Sequence, residues 1–247
     1  MEYLERDVQD YTIQYMQISK SDRANYEAAN EKLSASFFLQ EIATASCQFV
    51  EMAKYVLQCV DAQSNQGAWH EIRLDTHIAE LFYSYAVDGK PEFLYTYENR
   101  IKREINESDG GVDFGTYLSP FMAYNELFTC LDESMGGTNP SYAMKVVLNM
   151  FFARLKLDAA LYSDEEFFLG IPEVALLARM KEKSVRNFAH RSLGAEHYPD
   201  KRMTLIPAKV AHEWLKGRRK FTPSALLETE HAQRTLVSIA NEFGSHN

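Results

Sequence analysis

The sequence predicts a mainly α-helical protein, with an N-terminal helical bundle followed by a small basic helical module near the C-terminus. Three observations carry that expectation. Apolar residues recur at three-, four- and seven-residue steps over most of residues 1–162, and no strand-like alternation of four or more residues stands out there. Two turn-rich clusters, Ser108-Asp109-Gly110-Gly111 and Gly136-Gly137-Thr138-Asn139-Pro140, cut this region into pieces of helix length. Charge is also divided. Between Phe168 and Thr222 twelve Lys and Arg face five Asp and Glu, a net of +7, whereas the rest of the chain carries 14 bases and 30 acids, a net of −16. A basic segment on an acidic chain points to two parts with different partners, one of them anionic.

The elements follow in order. Ser21-Asp22 caps a helical run expected to continue to about Asp61, with Leu33, Phe37, Ile42, Phe49, Met52, Val56 and Val60 on its apolar face. A second run, Trp69 to Ala86, carries Ile72, Ile78, Leu81, Phe82 and Tyr85. The third starts near Pro91, a good first-turn residue, and reaches about Asn106. The fourth spans about Thr116 to Glu133 and the fifth about Ser141 to Tyr162. The aromatic patches Phe82-Tyr83-Ser84-Tyr85 and Phe93-Leu94-Tyr95-Thr96-Tyr97 either fill a bundle core or line a groove, and helical spacing favours the core. After residue 220 a terminal helix is expected over about Pro223–Phe243, with Leu226, Leu227, Leu236, Val237 and Ile239 packing back or across a dimer.

Composition narrows the classes. The 247 residues are 46% hydrophobic and 25% charged, an ordinary globular mix with ample length for a core. No apolar run approaches the roughly 20 residues that span a bilayer, so no membrane partner is expected. Cys47, Cys59 and Cys130 form no CxxC and read as free thiols of a cytoplasmic protein.

From Phe168 the text changes character. Leu169 to Met180 reads as a short helix opened by Pro172, and Lys181 to Arg191 as a second helix. Ala175 is small enough for the two to cross closely, Met180 and Val185 plug the angle, and Leu177, Phe188 and Leu193 complete a small core. Arg191 to Ile206 can supply a hairpin, and Pro207 to Leu215 a last helix with the pair Trp214-Leu215. Over about residues 168–220 the chain resembles the winged helix-turn-helix DNA-binding proteins of the excisionase-like and MerR-like group. Two positions depart from the pattern. Arg179 stands where the turn usually has Gly, so either Arg179 is left-handed, at about 1 kcal/mol, or the turn is built differently. Lys181 stands where the second helix usually has a Ser or Thr cap.

The resemblance implies DNA reading by the helix 181–191. Val185, Phe188 and Ala189 are expected to turn inward, leaving Lys183, Ser184, Arg186, Asn187, His190 and Arg191 toward the groove. Arg suits guanine edges and Asn adenine edges, because each offers a two-pronged hydrogen-bond pattern. Lys201 and Arg202 at the wing tip, and the run Arg218-Arg219-Lys220, suit phosphates. The partner is then double-stranded DNA, met by a homodimer, with a small-molecule or protein effector at residues 1–162.

Enzyme readings find little support. His70-Glu71-Ile72-Arg73-Leu74-Asp75-Thr76-His77 is the best metal-like cluster, but HExxH is absent. No phosphate loop, GxSxG or nucleophilic cysteine motif occurs, and Asp164-Glu165-Glu166 reads as a solvated hinge. No catalytic residue, metal or cofactor is expected. The function expected is transcriptional regulation or a related DNA transaction, by binding alone. The alternative is a protein-interaction scaffold that uses the basic module and the aromatic patches as assembly surfaces.

Overall fold

The computed structural model describes residues 23–44, 77–107, 114–115, 117–118, 140–198 and 203–244. The described residues are mainly helical, with a small three-stranded antiparallel sheet. In order come α1 (Arg23–Lys32), a helical segment over 35–44, α2 (His77–Asp88), α3 (Glu92–Glu107), α4 (Pro140–Tyr162), β1 (Phe168–Gly170), α5 (Ile171–Leu177), α6 (Glu182–Ser192), β2 (Glu196–Tyr198), β3 (Met203–Pro207), α7 (Ala208–Lys216) and α8 (Glu230–Gly244). The cysteines, the cluster 70–76, both Gly-Gly loops, most of the fourth expected helix, and Lys201 and Arg202 lie outside the described residues.

The long helix α4 is the axis. From Ala143 to Ala160 it is buried on nearly every side, and α1, α2, α5, α7 and α8 all pack on it. A helix covered all round must be apolar almost throughout. Three charges nevertheless lie inside it: Arg154, Lys156 and Asp158. Each finds a partner outside α4. Arg154 donates from Nε to the carbonyl of Ala86 (3.0 Å), and from one terminal nitrogen to the carbonyl of Thr222 (2.8 Å) and the hydroxyl of Ser224 (2.9 Å). Lys156 pairs with Glu173 at 2.9 Å. Asp158 accepts the Tyr85 hydroxyl at 2.7 Å.

Aromatic rings fill the space between α2, α3, α4 and α8. Phe82 and Phe93 lie 4.4 and 4.8 Å from Phe151, centroid to centroid, and Phe152 lies 5.4 Å from Phe243. Phe82, Tyr83, Tyr85, Phe93 and Tyr97 are all buried, so the aromatic patches are core, and only Tyr95 among them is exposed.

Three helix boundaries differ from expectation. The first run breaks at Leu33-Ser34 instead of continuing past it. Ser34 caps the next segment, its Oγ accepting the amide of Phe37 at 3.2 Å. Residues 168–170 are a strand instead of the start of a helix. Gly170 is the cap of α5, and its amide donates to Glu173 at 2.6 Å. The terminal helix starts at Glu230 instead of about Pro223, because residues 221–227 form an irregular strap held by other partners. Arg154 takes the carbonyl of Thr222, the amide of Ala225 donates to Gly89 (2.9 Å), and that of Leu227 to the Tyr162 hydroxyl (2.9 Å). Thr229 then caps α8, its Oγ1 accepting from Ala232.

The sheet has the order β1-β3-β2. Leu169 faces Ile206 in the first pairing and His197 faces Thr204 in the second. The apolar core runs without interruption from α1 to α8, across the stretch between residues 162 and 168.

The strap and its anchor make three predictions. Gly89 has φ +71°, and a Cβ there would meet Pro223 O and Ser224 Cα at 2.8 Å, both backbone atoms. Gly89→Ala is expected to lower stability in urea by about 1–3 kcal/mol through left-handed strain alone. Arg154→Met leaves Asp158 buried without its opposing charge and is expected to cost about 3–5 kcal/mol. Burial raises the Asp158 carboxyl above its ordinary 3.8, against the opposing pull of Arg154 and the hydroxyls of Ser224 and Tyr85. The unfolded chain therefore ionises first as pH rises, and the contribution of Asp158 is present at low pH and lost through its folded pKa. The stability of wild type relative to Asp158→Asn should fall as pH rises above about 4. A gap moving in favour of wild type would mean that the carboxylate's partners outweigh its burial.

Candidate nucleic-acid interface

The basic segment folds as β1, α5, α6, the β2–β3 hairpin and α7. Its placement starts with Glu173. That carboxylate closes the first turn of α5 through the Gly170 amide and accepts Lys156 from α4, so the first helix of the pair is fixed to the axis. Val174, Ala175, Leu176, Leu177 and Ala178 are all buried behind it.

The turn into α6 is formed by Arg179. Its φ is +53°, the left-handed value that glycine usually supplies. The amide of Arg179 donates to Leu176 O and that of Met180 to Ala175 O, both at 2.9 Å. These are the two bonds of a Schellman stop. The conformation costs an L-residue about 1–2 kcal/mol. The Arg179 side chain supplies what glycine could not: it donates to the carbonyls of Asn30 (2.8 Å) and Leu33 (2.6 Å) at the end of α1. These carbonyls lie at the negative end of the α1 dipole and lack a following helical turn, so a guanidinium suits them. Lys181 caps α6 with backbone only, as its side chain makes no cap bond.

Helix α6 has two faces. Val185 and Ala189 are fully buried, four residues apart. Lys183, Arg186, Asn187, His190 and Arg191 are exposed, and Ser184 is half-buried. Of these cations, Arg186 lies 3.6 Å from Glu182, whose carboxylate also meets Arg23 of α1 at 3.3 Å. Lys183, Arg191, Arg219 and Lys220 have no ion pair among the described residues, and all four are exposed.

One expected placement is corrected. Phe188 does not turn inward; it is 38% exposed. It sits at the edge of the stripe that Val185 and Ala189 define, and Trp214 of α7 covers only part of it, with centroids 5.8 Å apart. Arg218 is half-buried over these rings, 3.9 Å from the Trp214 centroid and 5.5 Å from that of Phe188. Such stacking holds a guanidinium by about 0.5–1 kcal/mol, so Arg218 is less free than Arg219 beside it. No spacing along the chain signals the Phe188–Trp214–Arg218 stack, because α7 and the turn after it meet α6 only in three dimensions.

Other sequence candidates stay apart from this face. His77, the one described member of the metal-like cluster, is exposed at the start of α2. Among the described residues no three or more His, Cys, Asp or Glu gather as metal ligands would, and no helix is long and apolar enough to cross a membrane. Glu165 is exposed and takes a hydrogen bond from Asn241 of α8 at 2.9 Å.

The two faces of α6 make a direct contrast in urea unfolding. Asn187→Ala should change stability by less than about 0.5 kcal/mol, as an exposed substitution. Ala189→Leu should cost about 1–3 kcal/mol, because added methylenes have no space there. Equal losses would mean that the outer face is packed as well.

Comparison of the chain with protein-family models, with curated proteins and with solved structures finds no match.

Proposed function

We propose that residues 168–220 form a winged helix-turn-helix that binds double-stranded DNA, with α6 lying in the major groove and the β2–β3 hairpin as the wing. The observation that carries this reading is the division of α6. One side is locked into the core by Val185 and Ala189, while Lys183, Arg186, Asn187, His190 and Arg191 stand out together on the other. A helix with one rigid face and a row of cations and an amide on the other has the size and hydrogen-bond pattern for base edges. The order β1-β3-β2 supports the same reading, since β1 leads directly into α5 and pairs with β3 of the hairpin. The net charge of +7 on this segment supports an anionic partner.

In this reading Arg186 and Asn187 read bases, and Lys183, Arg191, Arg219 and Lys220 meet phosphates, joined by Lys201 and Arg202 of the wing. Arg218 acts mainly through its stack. The protein works by binding without catalysis, in transcriptional regulation or a related DNA transaction, and as a homodimer on paired half-sites. The competing scaffold reading has lost most of its aromatic surface, because the rings of α2 and α3 lie in the core.

The test is fluorescence anisotropy with mixed genomic duplex fragments over a salt series. Affinity should fall roughly a thousandfold between about 50 and 200 mM salt if these six cations meet phosphates. Arg186→Ala should lose about 1–3 kcal/mol on preferred sequences and far less on the rest. No binding at low salt would end the DNA reading for this chain.

A further inference from the structure

We propose that α1 is a control element for α6, and that Arg179 is the positioning residue that couples them; the DNA-binding state is the one with α1 docked. This rests on the reading of α6 as the DNA-contacting helix. Three contacts join α1 to the turn and first residues of α6, across about 150 residues of chain. Arg179 holds the carbonyls of Asn30 and Leu33. Arg23 meets Glu182 at 3.3 Å, and Glu31 meets Lys181 at 3.9 Å. Helix α1 is itself fixed to the axis: Ala29 and Leu33 are buried, and Asn149 of α4 donates to the Tyr26 hydroxyl at 2.7 Å.

The chemistry at position 179 separates coupling from simple turn formation. A turn alone is served best by glycine, which takes the left-handed conformation without penalty. Arginine carries that penalty and returns two charge-assisted hydrogen bonds, both made to α1. The side chain thus contributes nothing to the turn's own backbone pattern and everything to the join with α1. The same join reaches the reading helix, because Glu182 is shared between Arg23 of α1 and Arg186 of α6. With α1 displaced, Glu182 is left to Arg186 alone, which opposes that guanidinium's approach to an anionic partner. Docking of α1 and binding by α6 are therefore linked, and each must favour the other.

The test uses the full chain with Arg179→Gly, which keeps the turn and removes the join, and Arg23→Ala, which removes only an exposed ion pair. Amide hydrogen exchange is followed over residues 23–32 and 182–186, with urea unfolding as the check on the whole fold. In Arg179→Gly both segments should exchange about tenfold faster while α4 keeps its protection, and duplex affinity should fall about tenfold. Arg23→Ala should shift the same quantities by less, and Arg179→Lys should recover part of the loss. Faster exchange in 23–32 with 182–186 unchanged would overturn the coupling, as would duplex affinity in Arg179→Gly equal to or better than wild type. A wild-type chain that binds no duplex ends the DNA reading instead, and the exchange of 182–186 then decides the coupling by itself.

Discussion

Three charges buried in α4 are the constraint on which the rest of the molecule depends. An ion inside a helix bundle is tolerated only when partners meet it with good geometry. Arg154 and Asp158, four residues apart, share one face of α4, and Lys156 between them points to the opposite side. Arg154 fixes the end of α2 and the strap over 221–224. Asp158 fixes Tyr85 of α2. Lys156 fixes Glu173 and with it the first turn of α5. The apolar packing around α4 supplies the bulk of the driving force, but it is non-directional. The charges select among packings that would bury similar area.

The same logic explains why the basic segment is not a loose appendage. Glu173 anchors α5 from behind and Arg179 anchors the turn from the side, so α6 leaves a frame fixed at two points. Val185 and Ala189 on its inner face are fully buried, and its outer face is exposed. Rigid support behind exposed polar groups is what precise recognition of a nucleic-acid surface needs. In the proposed function the acidic remainder suits this arrangement, because like charge would repel an anionic partner from the rest of the chain.

Much of the helix plan was legible because it rests on local rules. Apolar spacing gave α3 and α4 to within a residue or two, and the Pro-opened and Lys181-started helices fell close to α5 and α6. Val185 and Ala189 were identifiable as inward-facing from their four-residue spacing. What escaped was set by distant partners. Ser34 is a helix cap in principle, yet periodicity on both sides of it hid the break. The strap over 221–227 has helix-like leucines, but Leu226 is 78% exposed, and the strap's hydrogen bonds go to Arg154, Gly89 and Tyr162. Phe188 is apolar, but hydrophobicity does not distinguish the centre of an apolar stripe from its edge. Arg179 was visible as an anomaly in the turn, and its left-handed φ is one of the two outcomes the sequence left open. Its partners at Asn30 and Leu33 could not be read from a linear text.

The central claim, that the outer face of α6 contacts DNA, is tested most directly by photocrosslinking. Asn187→p-benzoylphenylalanine places the probe on that face, and Tyr95→p-benzoylphenylalanine places it at an exposed site on α3. At low salt with a mixed-sequence duplex, the account predicts a crosslink from position 187 that unlabelled duplex competes away, and none from position 95. Equal crosslinking from both positions, or none from 187 under conditions where the duplex is bound, would contradict it.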